Sequence, residues 1–207
     1  VTNLSALGAE VIVCGIIGKD ETGNTIQKLL MEKCINNSGL FIYENYKSCL
    51  KHRMIAGQNH LLRMDIDPDP EIQYPQEHII KYIEKTIPTC DAVIVSDYGK
   101  GLLSSSTLQA IAVCGKKNNI PVIGDPKSTK NYEIYNDFTL IKPNRKEAET
   151  AVGFKIKNKN EILKAAKIIK SRAKLKYLII SLDQDGMLLY KDQNEYEFLA
   201  AETQEVF

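Results

Sequence analysis

The sequence predicts an α/β fold: a largely parallel sheet with helices on both faces, plus a small antiparallel β lid. Near-continuous apolar runs at 92–97, 121–125, 139–141 and 177–182 alternate with amphipathic stretches, as expected for strands buried on both faces and joined by helical crossovers. Between about residues 40 and 66 the pattern changes to period-two alternation, the signature of an antiparallel ribbon with one wet face. With 207 residues and 43% hydrophobic content, the chain can bury one good core, which favours a single domain over 1–207 with the lid at about 40–66.

Residues 1–7 read as the end of a helix, with Gly8 as its stop. A short buried strand follows at 11–15, then the loop Gly18-Lys-Asp-Glu-Thr-Gly23 and a helix from about 24 to 34. The lid region holds Phe41-Ile-Tyr-Glu44, Lys51-His-Arg-Met-Ile55 and His60-Leu-Leu-Arg-Met-Asp-Ile66, with Gly57-Gln-Asn59 turning between the last two. Asp67-Pro-Asp-Pro70 ends it as a stiff connector. Helices are expected at 75–86, at 104–117 behind a Ser104 cap, at 145–152, and at 160–171 with Ile162, Ala165, Ala166 and Ile169 along one face. Segments 187–191 and 196–200 read as a closing hairpin.

Charge excludes some partners. Lys and Arg number 27 against 26 Asp and Glu, a net charge of +1, which gives no electrostatic case for nucleic acid. No apolar run has the length of a membrane span. The five cysteines are odd in number and form no C-x-x-C pair, so they read as reduced, mostly buried thiols of a cytoplasmic protein.

Chemistry concentrates at the carboxyl ends of the predicted parallel strands, where open α/β sheets collect ligands. Ser96-Asp-Tyr-Gly-Lys-Gly101, Gly124-Asp-Pro-Lys127, Lys142-Pro-Asn144 and Ser181-Leu-Asp-Gln-Asp-Gly186 bring lysines, carboxylates and glycines to consecutive strand ends. Lys142-Pro-Asn-Arg-Lys-Glu147 passes from a strand into a helix N-terminus, where unpaired N–H groups attract phosphate. Arg145 and Lys146 add cationic charge, and Glu147 offers a carboxylate to a metal. Phosphoryl transfer needs such parts, being mainly positioning and charge neutralisation. Plainer readings stand beside these: Asn144 and Glu147 fit a helix capping box, and Asp97 and Asp125 fit turn caps. Asp183 fits either kind of role.

These stretches, with Asn3-Leu-Ser-Ala-Leu-Gly8, Lys51-His-Arg and Leu62-Arg-Met-Asp65, make the chain resemble the ribokinase-like (pfkB) carbohydrate kinases along its full length. Ser-Asp-Tyr-Gly-Lys-Gly, Asp-Pro-Lys and the lid Lys-x-Arg point to the heptose 7-phosphate kinase branch. The resemblance implies an ATP-dependent kinase that phosphorylates the anomeric hydroxyl of D-glycero-D-manno-heptose 7-phosphate, towards ADP-heptose and the lipopolysaccharide core. It implies the ATP phosphates and Mg²⁺ at Asn144 and Glu147, with Glu147 at the metal; Arg145, Lys146, Ser181, Asp183 and Gly186 join them as nucleotide-side candidates from the helix start and strand end. Lys51, Arg53, Asn59, Arg63, Asp97, Lys100 and Lys127 are the matching sugar-phosphate candidates, and the lid would join two copies as a homodimer. Two departures accompany the match. The family's opening Gly-Gly strand has its place before Val1, and its Gly-Ala-Gly-Asp catalytic base follows a segment like Thr203-Gln-Glu-Val-Phe207, so the fold is expected to be truncated at both ends and inactive as a fragment. The alternatives are another ribokinase-like sugar or nucleoside kinase, or a non-catalytic binding module.

Overall fold

The protein is described by a computed structural model covering residues 1–57, 59–69 and 74–201. It divides into two compact units. The first is Val1–Tyr82 with Lys100–Leu102; the second is Ile83–Gly99 with the described residues from Leu103 onward.

In the first unit, α1 (Thr2–Ala6) ends just before Gly8, whose φ of +90° suits a residue without a side chain. Strand β1 (Ile12–Gly18), helix α2 (Glu21–Glu32) and strand β2 (Asn36–Tyr43) form a βαβ element in which β1 and β2 pair in parallel. Two expectations need correction here. Strand β1 runs on to Gly18 and is buried only at Ile17 and Gly18. Helix α2 begins at Glu21 rather than near 24, because Asp20 caps it, accepting from the Gly23 N–H at 2.7 Å.

That cap belongs to a larger knot. The other Asp20 carboxylate oxygen accepts from the Ser48 N–H at 2.8 Å, and the buried Ser48 hydroxyl accepts from the Gly18 N–H at 2.9 Å. A β-carbon on Gly18 would stand 2.1 Å from the Tyr46 carbonyl, and one on Gly23 would stand 2.2 Å from the Gly18 carbonyl. The Gly-x-Asp-x-x-Gly spacing is therefore a backbone clasp.

The ribbon proper is β3 (Leu50–Ala56) paired antiparallel with β4 (Asn59–Ile66). The run at 41–43 is not part of it, since those residues lie in β2 and pair with β1. Their alternation has another source: the Phe41 ring meets Tyr82 edge-on at 5.9 Å, while Ile42 faces solvent. A strand covered on one face alternates whichever way its neighbour runs. Nor has the ribbon one dry face; its described residues beyond Leu50 are exposed on both sides. Helix α3 (Gln76–Thr86) follows and buries Ile79 and Ile83, one turn apart.

The second unit is a six-stranded sheet of order β10-β9-β8-β7-β6-β5. Strands β5 (Val93–Ser96), β6 (Val122–Asp125), β7 (Leu140–Ile141) and β8 (Tyr177–Ser181) are parallel. The antiparallel hairpin β9 (Met187–Tyr190) and β10 (Tyr196–Leu199) completes it. Helices α4 (Ser105–Asn118), α5 (Arg145–Val152) and α6 (Lys159–Arg172) start on the side-chain caps Ser104, Asn144 and Asn158. Leu108, Ile141, Leu178, Ile180 and Leu188 are buried, as is the face of α6 formed by Ile162, Ala165, Ala166 and Ile169. Full burial of each such Leu or Ile is worth about 1.5–3 kcal/mol. A short 3-10 helix, Tyr132–Tyr135, inserts a row of rings at edge-on spacings of 5.8 Å (Tyr132 to Tyr135) and 5.7 Å (Tyr135 to Phe138). Gly124 lets Phe138 lie against β6, since a β-carbon there would be 3.1 Å from the ring.

The cysteines differ from expectation. All five are free, but only Cys114 is buried, and Cys34 and Cys49 are exposed. Burial raises the pKa of Cys14 to about 11. Among the described residues, no helix is long and apolar enough to cross a membrane.

Candidate functional site

At the end of β5 the chain turns through Asp97, whose side chain is almost fully buried. One carboxylate oxygen accepts from the Gly99 N–H at 2.8 Å, and the other accepts from the Tyr135 hydroxyl at 2.8 Å. The Lys127 ammonium stands 3.7 Å from that second oxygen. At the end of β6, Asp125 pairs with Lys142 at 3.2 Å. The Asp97 N–H donates to the Asp125 carbonyl at 2.9 Å, which sets the two ion pairs on neighbouring strand ends of one unit. Lys100 lies in the other unit and pairs with Asp67. That ion pair and the Cys49 thiol bond hold the Asp67 carboxyl below the usual carboxylate range.

Strand β7 ends at Ile141, and after Lys142 and Pro143 the Asn144 cap opens α5. Asn144 accepts from the Glu147 N–H at 2.9 Å, and Glu147 accepts from the Asn144 N–H at 2.8 Å, a complete capping box. Arg145 is turned into the structure. It donates to the Ile156 carbonyl at 3.0 Å and the Leu182 carbonyl at 3.3 Å, and pairs with Asp185. Lys146 is exposed. Next to this helix start, the Tyr132 hydroxyl is buried with no hydrogen-bond partner among the described residues. Burial raises its pKa, and the charges of Glu147 and Asp125 raise it further.

The end of β8 joins the same region, because Asn144 bridges Ser181 in parallel and the Ser181 N–H donates to the Pro143 carbonyl at 3.0 Å. Asp183 is exposed at φ +54°, and its carbonyl accepts from the Gly186 N–H at 3.2 Å. Gly186 has φ +86°, and a β-carbon there would stand 1.9 Å from the Leu199 carbonyl, so backbone packing already requires glycine.

In the first unit, the ribbon register gives the two faces different chemistry. Lys51 lies opposite Asp65 and Arg53 opposite Arg63, which puts all four on one face. Leu50, His52, Met54, Leu62, Met64 and Ile66 share the other, which is apolar apart from His52 opposite Met64. Arg63 donates to Asp65 through Nε at 2.8 Å and a terminal nitrogen at 2.6 Å. Like charges directly opposite are unfavourable, and Asp65 offsets part of that repulsion through its ion pair with Arg63. Asn59 is exposed at the start of β4. Reading the sequence singled out neither Tyr132 nor Tyr135. No local spacing links Tyr135 to Asp97, 38 positions away.

The chain matches the family profile described as "pfkB family carbohydrate kinase" over residues 1–207. It is 39% identical over 194 residues to Bifunctional protein HldE of Sulfurimonas denitrificans, covering 93% of this chain and 40% of that protein. It is 35% identical over 195 residues to the HldE of Aliarcobacter butzleri, covering 94% and 40%. The chain thus spans well under half the length of these relatives. Ribokinase from Arabidopsis thaliana, solved with ribose and ATP, superposes with a TM-score of 0.77 at 15% identity, covering 99% of this chain and 65% of that one. The fold is accordingly ribokinase-like.

Proposed function

Because the chain belongs to the pfkB family of carbohydrate kinases, we propose that it is the kinase domain, over 1–207, of an ATP-dependent enzyme acting on D-glycero-D-manno-heptose 7-phosphate. The reaction moves the γ-phosphoryl group of ATP to the anomeric hydroxyl, giving ADP and the 1,7-bisphosphate, in the cytoplasm and towards ADP-heptose. The observation that carries the phosphorylated substrate is the ribbon face with Arg53 opposite Arg63. A neutral sugar has no need of two guanidinium groups and Lys51 on one face, whereas a phosphate binds such a fork in bidentate fashion. Asn59 at the adjoining turn supplies amide hydrogen bonds.

On the sheet unit, the N-terminus of α5 and the Lys146 ammonium suit the ATP phosphates, with Ser181, Asp183 and Gly186 on the nucleotide side. Arg145 fixes the segment carrying Asp183 through its bonds to Leu182 and Asp185. The residues fit magnesium. Asp125 and Glu147 are hard oxygen donors, and the orphaned Tyr132 hydroxyl is a partner for water in a hydration shell. Glu147 would hold the ion, which supplies charge neutralisation between the phosphates. Lys127 offers a cation to the acceptor sugar, and the ribbon joins two copies as a homodimer.

The test is a kinase assay with heptose 7-phosphate, fructose 6-phosphate and ribose as acceptors, repeated with Arg53→Ala. The expected result is a preference for the heptose phosphate, with a KM raised about tenfold by the substitution. Equal loss on phosphorylated and neutral sugars would remove the basis of the proposal.

A further inference from the structure

We infer that Tyr135 is a positioning residue that holds Asp97 and the Asp125-Pro-Lys127 loop so that the Lys127 ammonium faces an anionic acceptor. Its role for the acceptor rests on the sugar kinase reading; its role in holding Lys127 does not.

The Tyr135 ring is fully buried, edge-on to Tyr132 on one side and Phe138 on the other, so its hydroxyl has a fixed address. That hydroxyl makes two contacts of opposite sense. It accepts from the Lys127 backbone N–H at 3.1 Å, and an amide N–H can only donate. Its own proton is therefore committed to Asp97, at 2.8 Å. Burial and then the Asp97 bond push the Tyr135 pKa up, which keeps the hydroxyl a donor.

Lys127 is held along its length. Its backbone is tied to Tyr135, and its stem passes Gly99, where a β-carbon would come within 3.3 Å of Cδ. Gly99 has φ +67°, which also favours glycine. The ammonium ends 3.7 Å from Asp97, beyond a direct hydrogen bond, on a side chain that is 35% exposed. Asp97 has both oxygens occupied by Gly99 and Tyr135. At 3.7 Å, Asp97 restrains the lysine by charge without a direct hydrogen bond, so the ammonium keeps its N–H donors for a second anion.

Tyr135→Phe in the full natural chain keeps the ring and deletes only the hydroxyl. One readout needs no substrate: limiting acylation of lysines followed by peptide mass spectrometry, with exposed Lys146 as internal standard. Lys127 labelling should rise about fivefold, the size of one lost hydrogen bond, while Lys146 stays constant. The second readout is the KM for the sugar phosphate, expected to rise by a similar factor with kcat less affected. Equal Lys127 labelling, or a KM unchanged in an active protein, overturns the inference. If the unsubstituted protein phosphorylates no sugar phosphate, the kinase reading falls and the labelling alone decides the role of Tyr135. Should Tyr135→Phe not fold, Asp97→Asn serves the same comparison, since it keeps an acceptor oxygen and removes the charge facing Lys127.

Discussion

Asn144 and Glu147 hold each other across the first turn of α5, each accepting the other's backbone N–H, at 2.9 and 2.8 Å. The pair read from the sequence either as a cap or as half of a nucleotide site is a cap in geometry, and the two roles can be separated. Asn144→Ala removes the acceptor for the Glu147 N–H and should cost about 1 kcal/mol of stability. Glu147→Gln preserves a capping box, which accepts Gln at this position, but removes the charge. Thermal unfolding should scarcely move for Glu147→Gln, while magnesium-dependent ATP binding, read by calorimetry, should be lost. Unchanged binding by the Gln variant would assign Glu147 to capping alone.

The clasp at Asp20 predicts an acid-sensitive fold. Desolvation raises the Asp20 carboxyl, but bonds from the Ser48 and Gly23 N–H groups and the Ser48 hydroxyl together outweigh it and leave the pKa below its ordinary value. A depressed folded-state pKa adds stability that is complete above the unfolded value, about 3.9, and is lost as the pH falls through the folded value. Asp20→Asn should therefore be less stable at neutral pH and show a flatter decline below about pH 4, measured by denaturant titration across pH. Parallel acid profiles would assign the acid sensitivity to other carboxylates.

Gly186 gives a prediction in which backbone geometry precedes any ligand role. Gly186→Ala places a methyl group 1.9 Å from the Leu199 carbonyl at φ +86°, so the β9–β10 hairpin must shift. The cost should exceed about 1 kcal/mol and appear in the melting temperature without nucleotide present. A variant that melts like the parent and loses only ATP affinity would make Gly186 a ligand contact.

Where local chemistry decides structure, the sequence was readable. Helix α5 is bounded as predicted, because Asn144 caps its start and Gly153, at φ +78°, ends it. The parallel strands from β5 to β8 were legible as apolar runs, and the polar strand ends followed from them. What escaped lies in contacts across sequence distance. The Phe41 run alternates under Tyr82 as an antiparallel strand would, so its parallel pairing with β1 left no trace in the pattern. Nothing in the motif around Arg145 points to its partners Asp185 and the Leu182 carbonyl, 40 and 37 positions away. Tyr135 reads as core by composition, and only its hydroxyl's two partners give it another role.

The two-sided ribbon predicts how the proposed dimer responds to substitution. An isolated two-stranded ribbon is marginal in water, and β3–β4 exposes Met54, Leu62, Met64 and Ile66 on one face. A second copy offers the same face about a two-fold axis, so apolar residues of both copies can bury one another while the face of Lys51, Arg53 and Arg63 remains open to an anion. A charge on the apolar face must then oppose its own symmetry mate. Leu62→Asp should convert a dimer to a monomer in sedimentation velocity, whereas Arg53→Gln, on the other face, should leave the association intact. Dissociation by Arg53→Gln alone would move the interface to the cationic side, and phosphate binding there would then have to compete with assembly.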